Sequence, residues 1–297
     1  MSTGTPGWLK YGCLGALVVG LVVIPAALVG LAWLDVRSEQ VETRVLTPGI
    51  QATNILPEDR ASGRVRLHVR DAEVSIEPAA SGQALSVEAL YDTKSFTLEE
   101  SLDPGGKDSS WTYELTFDRK GRSPAISGLR SILGGTESRI RVLLPVDAPI
   151  ALEFTMREGG AFLRLGGSWL TSADIDLSKG GLDMDVEEPM REPMERLSIR
   201  SSMGGASLDR IGNASPRRLD IDYSMGGLSL DLTGRWSSDS EITIHGSMGG
   251  GAVRLPGDVA IDGLDRDGVV APAESELGPW TLTFTTASSM GELQFYE

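Results

Sequence analysis

The chain has 297 residues, with 27 Lys and Arg against 42 Asp and Glu, for a formal net charge of −15. No basic run offsets that charge, so nucleic acid, whose phosphates would be repelled, is excluded as a partner. One cysteine (Cys13) and two histidines (His68 and His245) supply neither a disulfide framework nor the ligands of a zinc site.

After a short tail at 1–11, Gly12–Leu34 runs for 23 residues without a charge, flanked by Lys10, Asp35 and Arg37. A hydrocarbon core of about 30 Å needs about this length, which predicts a transmembrane helix. The apolar region of a cleaved signal peptide, about 7–15 residues, is shorter. Only a polar stretch precedes Cys13, which argues against a lipoprotein. Lys10 favours a cytoplasmic N-terminus, and this predicts a single-pass protein of the bacterial inner membrane with the bulk of the chain outside. Trp8, Tyr11 and Trp33 stand where interfacial anchors belong. Gly12, Ala16 and Gly20 recur every fourth residue as a small-residue ridge, suited to packing against the helix of another integral membrane protein. Pro25 predicts a kink within the span.

Residues 35–62 are polar, contain Pro48 and Pro57, and predict a linker or neck. A β region is predicted over 63–150. Apolar residues alternate in "GRVRLHVRDAEVSIEP", "ALSVEAL", "WTYELTF" and "RIRVLLP". Between them, "DRKGRSPAISGLRSILGGTES" predicts an excursion from the sheet with a short helix at 127–133.

Residues 151–297 repeat. Aligned, "LEFTMREGGAFLRL", "ADIDLSKGGLDMDV", "LSIRSSMGGASL", "LDIDYSMGGLSLDL", "ITIHGSMGGGAVRL" and "FTTASSMGELQF" each read as strand, glycine corner, strand. The corners fall at Gly159, Gly180, Gly204, Gly226, Gly249 and Gly291, with spacings of 21, 24, 22, 23 and 42 residues. The last spacing predicts one degenerate copy between Gly249 and Gly291. One unit per period of about 22 residues predicts a mainly β fold, a β-solenoid-like or stacked-sheet array whose coils bury apolar rows only against neighbours.

"RIRVLLPVDAPIALEFTMREGGAFLRLGG" and "LSLDLTGRW" followed by "EITIHGSMGGGAVRLPGDVAIDG" resemble the toast-rack domains of bacterial envelope proteins. The LiaF-type C-terminal domain and the adhesin-like modules of unknown function are related to these. The resemblance covers 63–297, is sharpest at 219–263, and implies a membrane-tethered or surface β-repeat protein with no catalytic residues to carry over. Methionine before the corner glycines departs from the usual small residue.

Phosphate loops lead from glycine into a helix, whereas these corners lead into strands. Met203, Met225, Met248 and Met290 could lie about 5 Å apart on successive coils. As thioethers they could meet Cu(I), but without cysteine or a histidine cluster they read as a structural ladder. Asp174 and Asp176, Asp183 and Asp185, Asp220 and Asp222, and Asp262, Asp265 and Asp267 form close acidic sets. Asp174 and Asp176 would attract Ca²⁺ if a pair on the next coil aligned with them; otherwise they form a solvated face. No cofactor and no catalytic residue is expected. The sequence favours a non-enzymatic accessory subunit of a larger membrane complex, respiratory or photosynthetic, that contacts extracytoplasmic subunits through the β domain. An envelope-stress regulator of LiaF type and a surface adhesin are the alternatives.

Overall fold

The computed structural model describes residues 41–46, 62–105, 110–120, 138–264 and 278–296. The predicted membrane helix at 12–34, with Trp8, Tyr11, Gly12, Ala16, Gly20 and Trp33, and the helix expected at 127–133 lie outside them. Among the described residues no helix is long and apolar enough to cross a membrane. Residues 42–297 form one compact unit.

Alternation with period two builds two sheets of ten strands each. One sheet contains β2 (Gly63–Val69), β5 (Phe96–Asp103), β6 (Trp111–Arg119), β8 (Ile150–Met156), β10 (Leu170–Leu177), β12 (Arg196–Met203), β14 (Arg218–Met225), β16 (Ser240–Met248), β18 (Ala260–Asp262) and β19 (Thr281–Met290). The other contains β1 (Val41–Leu46), β3 (Ala72–Pro78), β4 (Ser86–Asp92), β7 (Arg139–Leu144), β9 (Gly159–Arg164), β11 (Gly180–Asp185), β13 (Ala206–Asp209), β15 (Leu228–Asp231), β17 (Gly251–Arg254) and β20 (Leu293–Tyr296). The chain passes from the first sheet to the second at each glycine corner, and successive coils stack in parallel, as the repeat predicts.

Inward-facing residues line up as rows along the stack. Phe154, Ile175, Ile199, Ile221 and Ile244 are in register in the first sheet. Leu163, Met184, Leu208, Leu230 and Val253 form a matching row in the second. All ten are buried. Each such side chain stabilises the fold by about 1.5–3 kcal/mol, but only because the coils on both sides exclude water from it.

The order of strands departs from the order of the chain at one place. The first coil, β2–β3, lies between β6–β7 on one side and β8–β9 on the other. Its ladders therefore run without a break across residue 150. Beyond it β4 and β5 pair antiparallel with β7 and β6 and close that end.

Two expectations are corrected. The neck read at 35–62 contains a strand, β1, at the edge of the second sheet. No degenerate copy stands between Gly249 and Gly291, because β16 pairs directly with β19 and β17 with β20. The extra residues instead supply β18, a three-residue strand parallel to the start of β19 on its outer side.

Candidate binding edge at the glycine corners

The corner glycines have φ of 135° at Gly159, 126° at Gly180, 138° at Gly204, 152° at Gly226, 131° at Gly249 and 158° at Gly291. A side chain rarely adopts such a backbone, and here it would also have no room. A Cβ on Gly204 would lie 1.7 Å from the Gly180 carbonyl oxygen, and one on Gly226 equally close to that of Gly204. The glycines thus form a close-packed file, each against the carbonyl of the coil before it. The first coil turns differently, with Asp71 at φ 63° one residue before Ala72, which pairs with Gly159. Aspartate tolerates the left-handed region better than most residues. Asp71 is further held by an ion pair with Arg119.

The serines of "SMGG" form a second file. Ser224 Oγ donates to the Ser202 carbonyl at 2.6 Å, Ser247 Oγ to that of Ser224 at 3.0 Å, and Ser289 Oγ to that of Ser247 at 2.9 Å. The glycine amides are satisfied in the opposite direction along the stack: Gly204 donates to the Met225 carbonyl at 2.9 Å, and Gly226 to that of Met248 at 3.2 Å. With its polar backbone groups occupied, this edge presents its methionines.

Met203, Met225, Met248 and Met290 are in register on adjacent strands and point outward, with exposures of 38%, 44%, 42% and 65%. They account for four of the six exposed large hydrophobic side chains among the described residues, the others being Phe162 and Tyr296. The ladder expected from the sequence is therefore real but belongs to the surface, not the core. Below it, on the first sheet, a shallow hollow of about 460 Å³ is lined by Arg200, Asp222, Tyr223, His245 and Gly246. Tyr223 itself points inward into the space left by Gly246, where a Cβ would meet its hydroxyl at 2.4 Å. Burial pushes the Tyr223 phenol pKa up.

On the opposite side, the turns of three successive coils are held by a buried polar stack that the sequence did not disclose. Asn213, in the 3-10 turn Ile211–Asn213, donates from Nδ2 to the Val186 carbonyl at 2.8 Å, and its Oδ1 accepts from the Arg235 amide at 2.8 Å. One side chain thereby joins three coils. Ser215 and Ser238 continue the stack, with Oγ atoms 3.2 Å apart.

The acidic sets do not come together as the Ca²⁺ reading required. Asp174 and Asp176 face Ser198 and Arg200 on the next coil, and Arg200 in turn faces Asp222. Asp183 pairs with Arg164 at 2.7 Å, Asp185 with Arg210, and Asp220 with Arg196 at 3.1 Å. Asp262 is exposed on β18, while Asp265 and Asp267 lie outside the described residues. His245 Nδ1 is 3.2 Å from Asp222 Oδ1, and His68 Nε2 is 4.0 Å from Glu114 Oε1. Among the described residues no three His, Cys, Asp or Glu side chains are grouped to hold a metal.

The fold is mainly β, two sheets of largely parallel strands with antiparallel strands β4 and β5 towards one end. Neither a family model nor a curated protein matches the chain, so the toast-rack and LiaF-type resemblance rests on its motifs alone. Solved structures similar to it include a candidate cell adhesion protein of Clostridium sporogenes, 12% identical, covering 86% of this chain and 99% of that one, with a TM-score of 0.40. A candidate adhesin of Bacteroides fragilis is 9% identical over 87% of this chain and 98% of its own, with a TM-score of 0.36. A candidate adhesin of Parabacteroides merdae is 12% identical over 87% and 97%, with a TM-score of 0.25.

Proposed function

We propose that the chain is a non-catalytic binding protein of the bacterial envelope, tethered by the helix read at 12–34, which uses its β-solenoid for adhesion to a protein surface. The observation that supports this reading is the outward row of four methionines along the corner edge. Methionine is flexible and polarizable, and a file of thioethers on a rigid support suits contact with varied apolar partner surfaces.

Adhesion fits better than service as an accessory subunit. Obligate subunit interfaces are broad and apolar, commonly above about 2,000 Å². The outer faces of this solenoid instead carry ion-paired rows such as Arg66 with Glu153 and Arg196 with Asp220. No cofactor enters the reading, and the acidic rows serve as a solvated face. In this reading Gly12, Ala16 and Gly20 belong to the tether, and Lys10 flanks it on the cytoplasmic side.

The test compares attachment of cells displaying the native chain with attachment of cells displaying the variant in which Met203, Met225, Met248 and Met290 are all changed to Gln. A fall of about tenfold or more, corresponding to about 1.4 kcal/mol of binding, is expected. Equal attachment at equal surface expression would refute the reading. Equimolar co-purification with a membrane complex, unaffected by the substitutions, would restore the accessory-subunit role.

A further inference from the structure

The geometry points to the outer edge of the last coil, β19 with β20, as the interface at which a second copy of this chain docks edge to edge through a two-fold axis. Among the described residues every interior strand of the stack has a neighbour on both sides, whereas β19 has β16 on one side and, on the other, only β18 opposite Thr281–Thr283. Gly263 then backs onto the Phe284 carbonyl, where a Cβ would lie 2.3 Å from the oxygen. Among the described residues no strand covers the outer side of 285–290 or of Leu293–Tyr296.

That edge lacks the usual protection. Exposed edge strands normally carry charges, prolines or bulges that prevent pairing with another chain. The sequences "TLTFTTASSM" and "LQFY" contain no charge and no proline. Interior strands do carry charge, as with Asp174 and Asp176 on β10, Arg218, Asp220 and Asp222 on β14, and Glu241 on β16. So does the opposite end of the stack, where β5 has Glu99, Glu100 and Asp103 and β1 has Glu42 and Arg44. The charged edge strands at that end are built to remain unpaired, and β19 and β20 are not.

A second copy is the occupant these features select. The chain has a formal charge of −15, so two copies repel over most of their surfaces and approach most easily where the edge is neutral. A charged peptide finds no counter-charge on β19 or β20. The step left by β18 also suits two-fold symmetry. With the two β19 strands antiparallel, the stretch 285–290 of each copy fills the recess beside the other, and each β18 falls beyond the end of the partner's strand. Such a contact is isologous and self-limiting. It would cover Tyr296, which is 48% exposed, and complete the burial of Leu293 and Phe295.

The full-length chain in mild detergent is expected to have twice the 31.7 kDa mass of one copy by native mass spectrometry. The double variant Thr286→Lys/Gln294→Lys puts four lysines at the paired edges and is expected to be monomeric, with an unchanged far-ultraviolet circular dichroism spectrum. Replacing Gly12, Ala16 and Gly20 with Leu should leave the dimer in place, which separates the β edge from helix packing in the bilayer. With Cys13 changed to Ser, Ala287→Cys should form an inter-copy disulfide on oxidation, and Thr97→Cys on β5 should not. A monomer at about 100 µM, a dimer that survives the two lysines, or cross-linking through Thr97→Cys would each overturn the proposal.

Discussion

Replacing Gly204 with Ala tests whether the corner glycines are the structural unit of the solenoid. Gly204 has φ 138°, a region nearly closed to other residues, and holding alanine there costs about 1–3 kcal/mol. The added Cβ would lie 1.7 Å from the Gly180 carbonyl oxygen and 2.7 Å from its carbonyl carbon. Both are backbone atoms held in the preceding coil, so relief requires the coils to separate, at a further cost of about 1–3 kcal/mol. The expected loss is about 4 kcal/mol. In a unit of this size each kcal/mol lowers Tm by about 2–4 °C, for a fall of about 8–16 °C by circular dichroism. Gly82→Ala is the matched control, since Gly82 also has positive φ (80°) but nothing within 4 Å of its would-be Cβ. It should lose about 1–2 kcal/mol, from the backbone alone. If Gly204→Ala melts within about 2 °C of Gly82→Ala, close packing between coils contributes nothing, and the corner account is wrong.

Asn213→Ala should cost about 2–4 kcal/mol in urea unfolding, because it leaves the Val186 carbonyl and the Arg235 amide without their partner. A loss below about 0.5 kcal/mol would show that water replaces the amide. Ser224→Ala, which removes a single hydrogen bond to the Ser202 carbonyl at an exposed edge, should cost about 0.5–1.5 kcal/mol by the same measurement. Asp147 accepts from the Gly82 amide, Ser81 and Arg191, and the Gly82 contact does most to hold its pKa below the ordinary carboxylate value, against partial burial. Its stabilising contribution is therefore fully present above the unfolded pKa of about 3.9 and is lost as pH falls through the lower folded value. The Tm difference between the native chain and Asp147→Asn should shrink as pH is lowered from neutral through that window, and a pH-independent difference would refute the assignment.

The repeat was legible because each coil writes the same pattern: alternating apolar residues, a glycine that must take positive φ, and alternation again. All six corners fall where the spacing places them. Features that depend on which coil neighbours which were not legible. A 42-residue gap resembles two periods, yet among the described residues it adds only the short strand β18 to one ordinary coil, because nothing local distinguishes an omitted coil from a degenerate one. Asp71 escaped notice as a corner because it lacks the glycine that marks the others. Alternation assigns a side chain to one face of a strand, but at the corner the chain leaves the strand, so the outward direction of Met203, Met225 and Met248 could not be read by counting. The role of Ser224 and Ser247 was hidden for a related reason. Serine before glycine is common in turns, and only the stacked carbonyls show what its hydroxyl does.

The position of β2–β3 inside the stack bears on the order in which the protein can be made. Residues 63–78 are synthesised before both of their flanks, which are supplied later, by 111–144 on one side and 150–164 on the other. Until about a hundred further residues have emerged, this early segment presents two bare strand edges and an unshielded apolar row. Such a segment is open to mispairing until its flanks arrive, while every later coil can add directly to a template already in place.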